Sequence, residues 1–138
     1  MAESREPVRS GRRAGYMSIV TWIVIVGAVI AFLLVKRLTQ VSPAVAREWL
    51  HKGALVIDVR GEAEFQERHL PSAINIPLGR LGDEIARFAP DKEQPLLLHC
   101  LSGARSGIGR STLKRMGYQH VFNLGSYRRA EKIVAATE

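Results

Sequence analysis

Pro95-Leu96-Leu97-Leu98-His99-Cys100-Leu101-Ser102-Gly103-Ala104-Arg105-Ser106 is the stretch that organises the chain. Pro95 to Leu98 is an apolar run of the length expected for a buried strand. From Gly107 to Met116, apolar residues recur at helical spacing until Gly117. The only cysteine of the chain therefore stands where a strand ends, a glycine-containing loop begins and a helix starts. Backbone N–H groups of such a loop converge, and a helix N-terminus adds partial positive charge. A thiol held there ionises readily, because Arg105 and those donors stabilise its thiolate. A lone cysteine is otherwise an inert small core residue. Against that reading stand Gly103, Arg105 and Ser106, the last read as the helix N-cap, immediately after it. The pattern describes a nucleophile in an anion-binding cup.

Composition narrows the chemistry. The chain has 138 residues and a formal net charge of +7, enough length for one ordinary domain. Residues 38–138 carry fourteen Lys/Arg against eleven Asp/Glu, which suits small anions and falls short of a nucleic-acid footprint. One cysteine excludes an internal disulfide and a Cys-rich metal site. It also leaves no second thiol to resolve an oxidised Cys100, so anything carried there passes to an outside acceptor. His51, His99 and His120 have no metal-ligand spacing, and neither metal nor organic cofactor is implied.

Residues 1–15 are polar and basic and read as a disordered tail. Tyr16 to Val35 is then twenty residues without a charge. At ~1.5 Å per residue such a helix spans about 30 Å, the hydrocarbon thickness of a bilayer. Tyr16 and Trp22 lie toward one end and Lys36-Arg37 close the other, so residues 16–37 read as a transmembrane helix. A cleaved signal peptide competes, but its apolar region is shorter and is not followed at once by basic residues. Arg5, Arg9, Arg12 and Arg13 precede the span, while Lys36, Arg37 and Arg47 follow it. That excess favours an inside N-terminus, with residues 38–138 as a domain outside the cytoplasm.

In that domain Ser42-Pro43 predicts a helix start, with Val45, Trp49 and Leu50 on its apolar face and Gly53 at its end. Ala54 to Arg60 reads as a buried strand, Glu62 to Arg68 as a helical turn and Asp83 to Phe88 as a helix. Strands separated by helices in this way predict an α/β domain with a mostly parallel central sheet flanked by helices. In such sheets catalytic loops lie at the carboxyl ends of strands, where Cys100 falls.

Cys100-Leu101-Ser102-Gly103-Ala104-Arg105-Ser106 resembles the active-site loop of rhodanese (sulfurtransferase) domains, matching C-x-x-G-x-R-S. His69-Leu70-Pro71-Ser72-Ala73-Ile74-Asn75-Ile76-Pro77 and Gly117 to Gly125 resemble further stretches of that family. The resemblance covers about residues 40–135 and is to short, single-domain members. Arg68, Ser72 and the Ser126-Tyr127 pair depart from positions where the family has glycine or tryptophan. The resemblance implies a rhodanese-like fold in which Asp58, with Arg60, supports the loop from beneath, Asp58 accepting loop N–H groups. An ordinary turn carboxylate is the alternative for Asp58. It further implies Cys100 and Arg105 as catalytic residues, and Leu101, Ser102, Gly103, Ala104 and Ser106 as the substrate-binding loop. The implied donor is a small anionic sulfur compound, and the acceptor a thiol or cyanide, with a protein acceptor also in view. A membrane-tethered binding or persulfide-carrier module is the other reading. His99-Cys100 also resembles the H-C-x-x-G-x-x-R-S signature of cysteine phosphatases. That signature needs five residues between Cys and Arg, and here Leu101 to Ala104 makes four.

Overall fold

The computed structural model describes residues 18–137. The basic tail expected over 1–15, and Tyr16, lie outside the described residues. The chain divides into two units, with the boundary between Leu33 and Leu34. Helix α1, Ile19–Thr39, is apolar through Val35, and none of its residues is buried. It runs two residues beyond Lys36-Arg37, so Gln40 to Ser42 are all that separate it from the next helix.

The second unit is an α/β domain. Helix α2, Pro43–His51, begins as the sequence predicts, with Ser42 Oγ accepting from the Val45 N–H and Pro43 in the first turn. Strand β1 is Leu55–Asp58, helix α3 Glu62–Glu67 and strand β2 Ala73–Asn75. A 3-10 turn at Leu78–Arg80 feeds helix α4, Leu81–Phe88. Strand β3 is Leu96–Cys100, helix α5 Ala104–Arg115, strand β4 Val121–Ser126 and helix α6 Tyr127–Ala135. The four strands lie in the order β2-β1-β3-β4, every pair parallel. Parallel neighbours need crossover connections, and helices supply them here.

Alternation along the strands sorts the core into two layers. Ile57, Leu96, Leu98 and Cys100 pack with Leu81, Ile85 and Leu113 of α4 and α5. Val56, Leu97 and Leu124 pack with Ala46 of α2 and with Tyr127, Ala130, Ile133 and Val134 of α6. All five residues of β3 are buried, as a strand covered on both faces requires. Cys100 thus ends the most enclosed strand of the sheet.

Helix α5 comes close enough to β3 to carry the loop because Gly109 has no side chain. A Cβ there would lie 2.9 Å from Leu98 Cδ2 and 3.0 Å from Leu81 Cδ2. Gly109→Val should overpack this contact and destabilise the domain by about 1–3 kcal/mol, despite a better helix propensity. A lowered denaturation midpoint of the full chain in detergent micelles is the expected result.

Candidate active site

Cys100 is the last residue of β3, and its side chain is fully buried. The chain reverses at Gly103, whose φ of +94° serves as the N-cap of α5. Helix α5 therefore starts at Ala104, and Ser106 lies within its first turn. The reading of Ser106 as N-cap is corrected by this geometry: a glycine in the left-handed region turned the chain three residues earlier. The buried Ser106 side chain instead donates its hydroxyl to Asn123 Oδ1 at 2.7 Å and lies 3.6 Å from Cys100 Sγ.

The sulfur faces a ring of donors. The Gly103 N–H reaches Sγ at 3.0 Å. Burial by itself pushes the Cys100 thiol up. The Ser106 N–H, the Ser106 hydroxyl and the N–H groups of Ser102 and Gly103 act the other way and together hold it below its ordinary value. Among the loop residues singled out from the sequence, Ser102, Gly103 and Ser106 thus meet the sulfur. Leu101 and Ala104 are exposed on the loop.

Arg105 does not reach toward the thiol alone. Its guanidinium forms a two-pronged pair with Glu64 of α3, at 2.7 Å to Oε2 and 2.9 Å to Oε1. Glu64 also accepts from the Gly61 N–H at 3.1 Å. The Arg105 hydrogen bonds are the main reason that the Glu64 carboxyl is held at about 2; burial opposes them, and Gly61 and the charges of Arg105 and Arg60 assist.

Asp58 and Arg60 lie beneath, and both are buried. Their arrangement corrects the reading of Asp58 as acceptor of loop N–H groups. Its carboxylate is filled by Arg60, which donates from its backbone at 2.9 Å, from Nε at 3.0 Å and from Nη2 at 2.7 Å. Arg60 also donates to the Arg68 carbonyl and lies over the Tyr127 ring. His99 faces this cluster, 3.7 Å from Asp58 Oδ2 and edge-on to Tyr127. Burial chiefly holds its pKa below the ordinary value, with Asp58 opposing and Arg60 adding.

A family model of the rhodanese-like domain matches residues 42–129. The chain belongs to the rhodanese-like domain family. It is 42% identical over 69 residues to thiosulfate sulfurtransferase PspE of Escherichia coli K12, a match covering 50% of this chain and 66% of PspE. It is 33% identical over 86 residues to thiosulfate sulfurtransferase GlpE of Coxiella burnetii, covering 62% of this chain and 78% of that one. A solved structure described as rhodanese with anions from E. coli shares 38% identity at a TM-score of 0.54, over 55% of this chain and 89% of that chain. The chain thus spans just under two thirds of PspE. The expected rhodanese-like fold is borne out.

Two residues of this rhodanese-like domain escaped the sequence reading. Asn123 of β4 accepts from Ser106 Oγ at 2.7 Å and from the Gly125 N–H at 2.8 Å, and donates to the Gly103 carbonyl at 3.1 Å. It joins the loop, α5 and the end of β4 in one buried network. Glu64 is the other, because its partner lies 41 residues away. For both, the only sequence signal was a polar residue beside apolar ones in a stretch resembling the family.

Glu64 has a folded-state pKa below its unfolded value, so its contribution to stability is present above the ordinary carboxyl range. It is lost as pH falls toward about 2. Glu64→Gln should therefore be less stable than wild type near pH 7, by under about 1 kcal/mol because the pair is partly solvated. The two proteins should converge as the solution is acidified below roughly pH 4. Denaturation midpoints measured against pH check this, and a constant difference down to the acid limit would count against it.

Proposed function

We propose that this chain is a membrane-anchored sulfurtransferase that moves sulfane sulfur from thiosulfate, or a similar anion, through a persulfide on Cys100. The observation that carries the reading is the buried Cys100 sulfur, which accepts from the Gly103 N–H at 3.0 Å and has the Ser106 hydroxyl 3.6 Å away. Thiosulfate sulfurtransferase is the name borne by both relatives described above.

The thiolate attacks the outer sulfur of thiosulfate. A sulfur–sulfur bond forms to Cys100 as the bond to the sulfonate sulfur breaks, and sulfite leaves with the electron pair. The loop donors then face a persulfide whose terminal sulfur carries the negative charge, as an oxyanion hole faces oxygen. Cyanide or a thiolate attacks that terminal sulfur, and the Cys100 thiolate is regenerated. No metal or organic cofactor takes part. Arg105, held by Glu64, draws the anionic donor toward the mouth and braces the loop. Asp58 and Arg60 support the strand ends from the opposite face of the sheet.

The anchor is residues 16–37, preceded by a basic tail over 1–15 and followed by the catalytic domain over 38–138. A long apolar helix with no buried residue supports this reading, as do Lys36-Arg37 near its end. The excess of arginines before the span assigns the domain to the extracytoplasmic side, where its partners are small sulfur anions and thiol or protein acceptors.

Thiosulfate treatment of the full-length protein should add about 32 Da, roughly one sulfur, to Cys100. Cyanide should remove it with release of thiocyanate, and Cys100→Ser should show neither adduct nor turnover because a hydroxyl cannot form the persulfide. An adduct without turnover would favour the persulfide-carrier module. Cys100-dependent hydrolysis of an aryl phosphate would reverse the assignment.

The anchor is checked by fractionation. Full-length chain should pellet with membranes and resist carbonate extraction, and in spheroplasts its domain should be cleaved by external protease. A shortened chain in the soluble fraction would instead identify a cleaved signal peptide.

A further inference from the structure

The two residues between α1 and Ser42 take part in the architecture of the loop. Gly103 and Gly125, both at positive φ, lie against each other: a Cβ on Gly103 would be 3.0 Å from Gly125 Cα. A third segment covers this contact. The Gln40 carboxamide fills the hollow left by the two absent side chains. A Cβ on Gly125 would stand 2.8 Å from Gln40 Cδ and Nε2, and one on Gly103 would stand 3.1 Å from Nε2.

Gln40 is not held there by chance of a loose surface chain, because its neighbour is pinned. The Val41 N–H donates to the Asn123 carbonyl at 2.9 Å. The Val41 carbonyl accepts from Arg129, whose other guanidinium nitrogen donates to the Leu124 carbonyl. Val41 also packs against the core layer of α2 and α6. The backbone on both sides of the Gly103–Gly125 contact is therefore fixed relative to Gln40. Residue 40 lies outside the region matched by the family model, which begins at residue 42.

We infer that Gln40 is a positioning residue of the site: its carboxamide holds Gly103 against Gly125 and so keeps the Gly103 N–H aimed at Cys100 Sγ. The physical reason is packing. Two glycines in contact bring no side chains to hold them together; Asn123 ties their backbones from one side by hydrogen bonds, and the Gln40 carboxamide, seated on both, holds them by packing from the other. Gly103 supplies one of the donors that hold the thiol below its ordinary value. Loosening of the contact lengthens that N–H···S bond, and the thiol pKa rises. The tether thereby becomes part of the reactive site of the domain. The inference rests on Cys100 working as a thiolate, but it is read by alkylation and needs no sulfur transfer.

The test uses the full-length protein in detergent micelles, with iodoacetamide alkylation of Cys100 followed against pH. Gln40→Ala should raise the midpoint by about half a pH unit or more. Gln40→Met, which refills the hollow without an amide, should lie nearer wild type. Thermal unfolding is recorded alongside, since a purely structural residue would change that and leave the alkylation midpoint alone. An unchanged midpoint in Gln40→Ala overturns the inference whatever happens to its stability, and so does an equal shift in Gln40→Met. Should Gln40→Ala not fold, Gln40→Asn decides. One methylene shorter and uncharged, it no longer brings the amide to both glycines and should raise the midpoint, and no rise would overturn the proposal. Absence of a persulfide in the wild type, with these shifts intact, would count against sulfur transfer and leave Gln40 its role.

Discussion

A sulfur that is to be negative and buried needs donors in place of water, and those donors must already point at it. In this domain that demand falls on a backbone turn, since Gly103 and Ser106 contribute their main-chain N–H groups. A turn has no internal means of holding such an aim. Asn123 provides it from another strand, with three hydrogen bonds that tie the Gly103 carbonyl, the Ser106 hydroxyl and the Gly125 N–H to one side chain. Each such bond contributes only about 1 kcal/mol net, whereas an orphaned buried partner costs about 1–3 kcal/mol. The network is therefore worth more as a constraint than as a source of stability. It works because the parallel sheet brings the carboxyl ends of β3 and β4 side by side.

Full charges are arranged around this cup in neutralised pairs. On the reverse face of the sheet, Asp58 is occupied by Arg60, and at the mouth Arg105 is occupied by Glu64. The pairs differ in what they achieve. The Asp58–Arg60 pair is buried, so loss of either partner would strand a charge, and its consequence is a rigid junction between β1, α3 and the chain at Arg68. The Arg105–Glu64 pair is partly solvated and holds a long side chain in one place at the edge of the loop. The thiolate is consequently stabilised mostly by dipoles and only secondarily by a cation. In the proposed reaction, dipoles fixed by the fold need no reorganisation as charge moves along a sulfur–sulfur bond.

The parts of this molecule legible in its sequence are those with local causes. Ser42-Pro43 announced α2 because a capping hydroxyl and a proline act within one turn. The apolar run before Cys100 announced β3, and the order strand–cysteine–glycine–arginine announced the cup. The misreadings came where two local signals compete. Ser106 is a good N-cap residue, yet Gly103 turned the chain earlier, so the serine entered the helix and turned inward. Asp58 invited loop donors, but an arginine two residues on is closer and carries more donors to fill the carboxylate. Asn123, Glu64 and Gln40 were illegible for another reason. Their partners are set by the order of strands in the sheet, which no neighbouring residue encodes.

The size of the loop gives these contacts a chemical consequence. Between Cys100 and Arg105 there are four residues, and the Gly103 N–H and the Ser106 hydroxyl already face one atom. In the proposed reaction the negative charge moves outward by one sulfur–sulfur bond, about 2 Å, while the number of atoms to be solvated stays at one. Donors arrayed around a point thus have a single negative atom to face before and after that displacement. A phosphoryl group presents three equatorial oxygens at once, spread across a plane, and needs donors distributed over a wider cradle. Widening this loop would require Gly103 to leave Gly125, and Asn123 and Gln40 both oppose that separation. The same contacts that keep a buried thiolate stable thus restrict what the thiolate can attack, and the single soft, anionic sulfur of the proposed reaction fits that restriction.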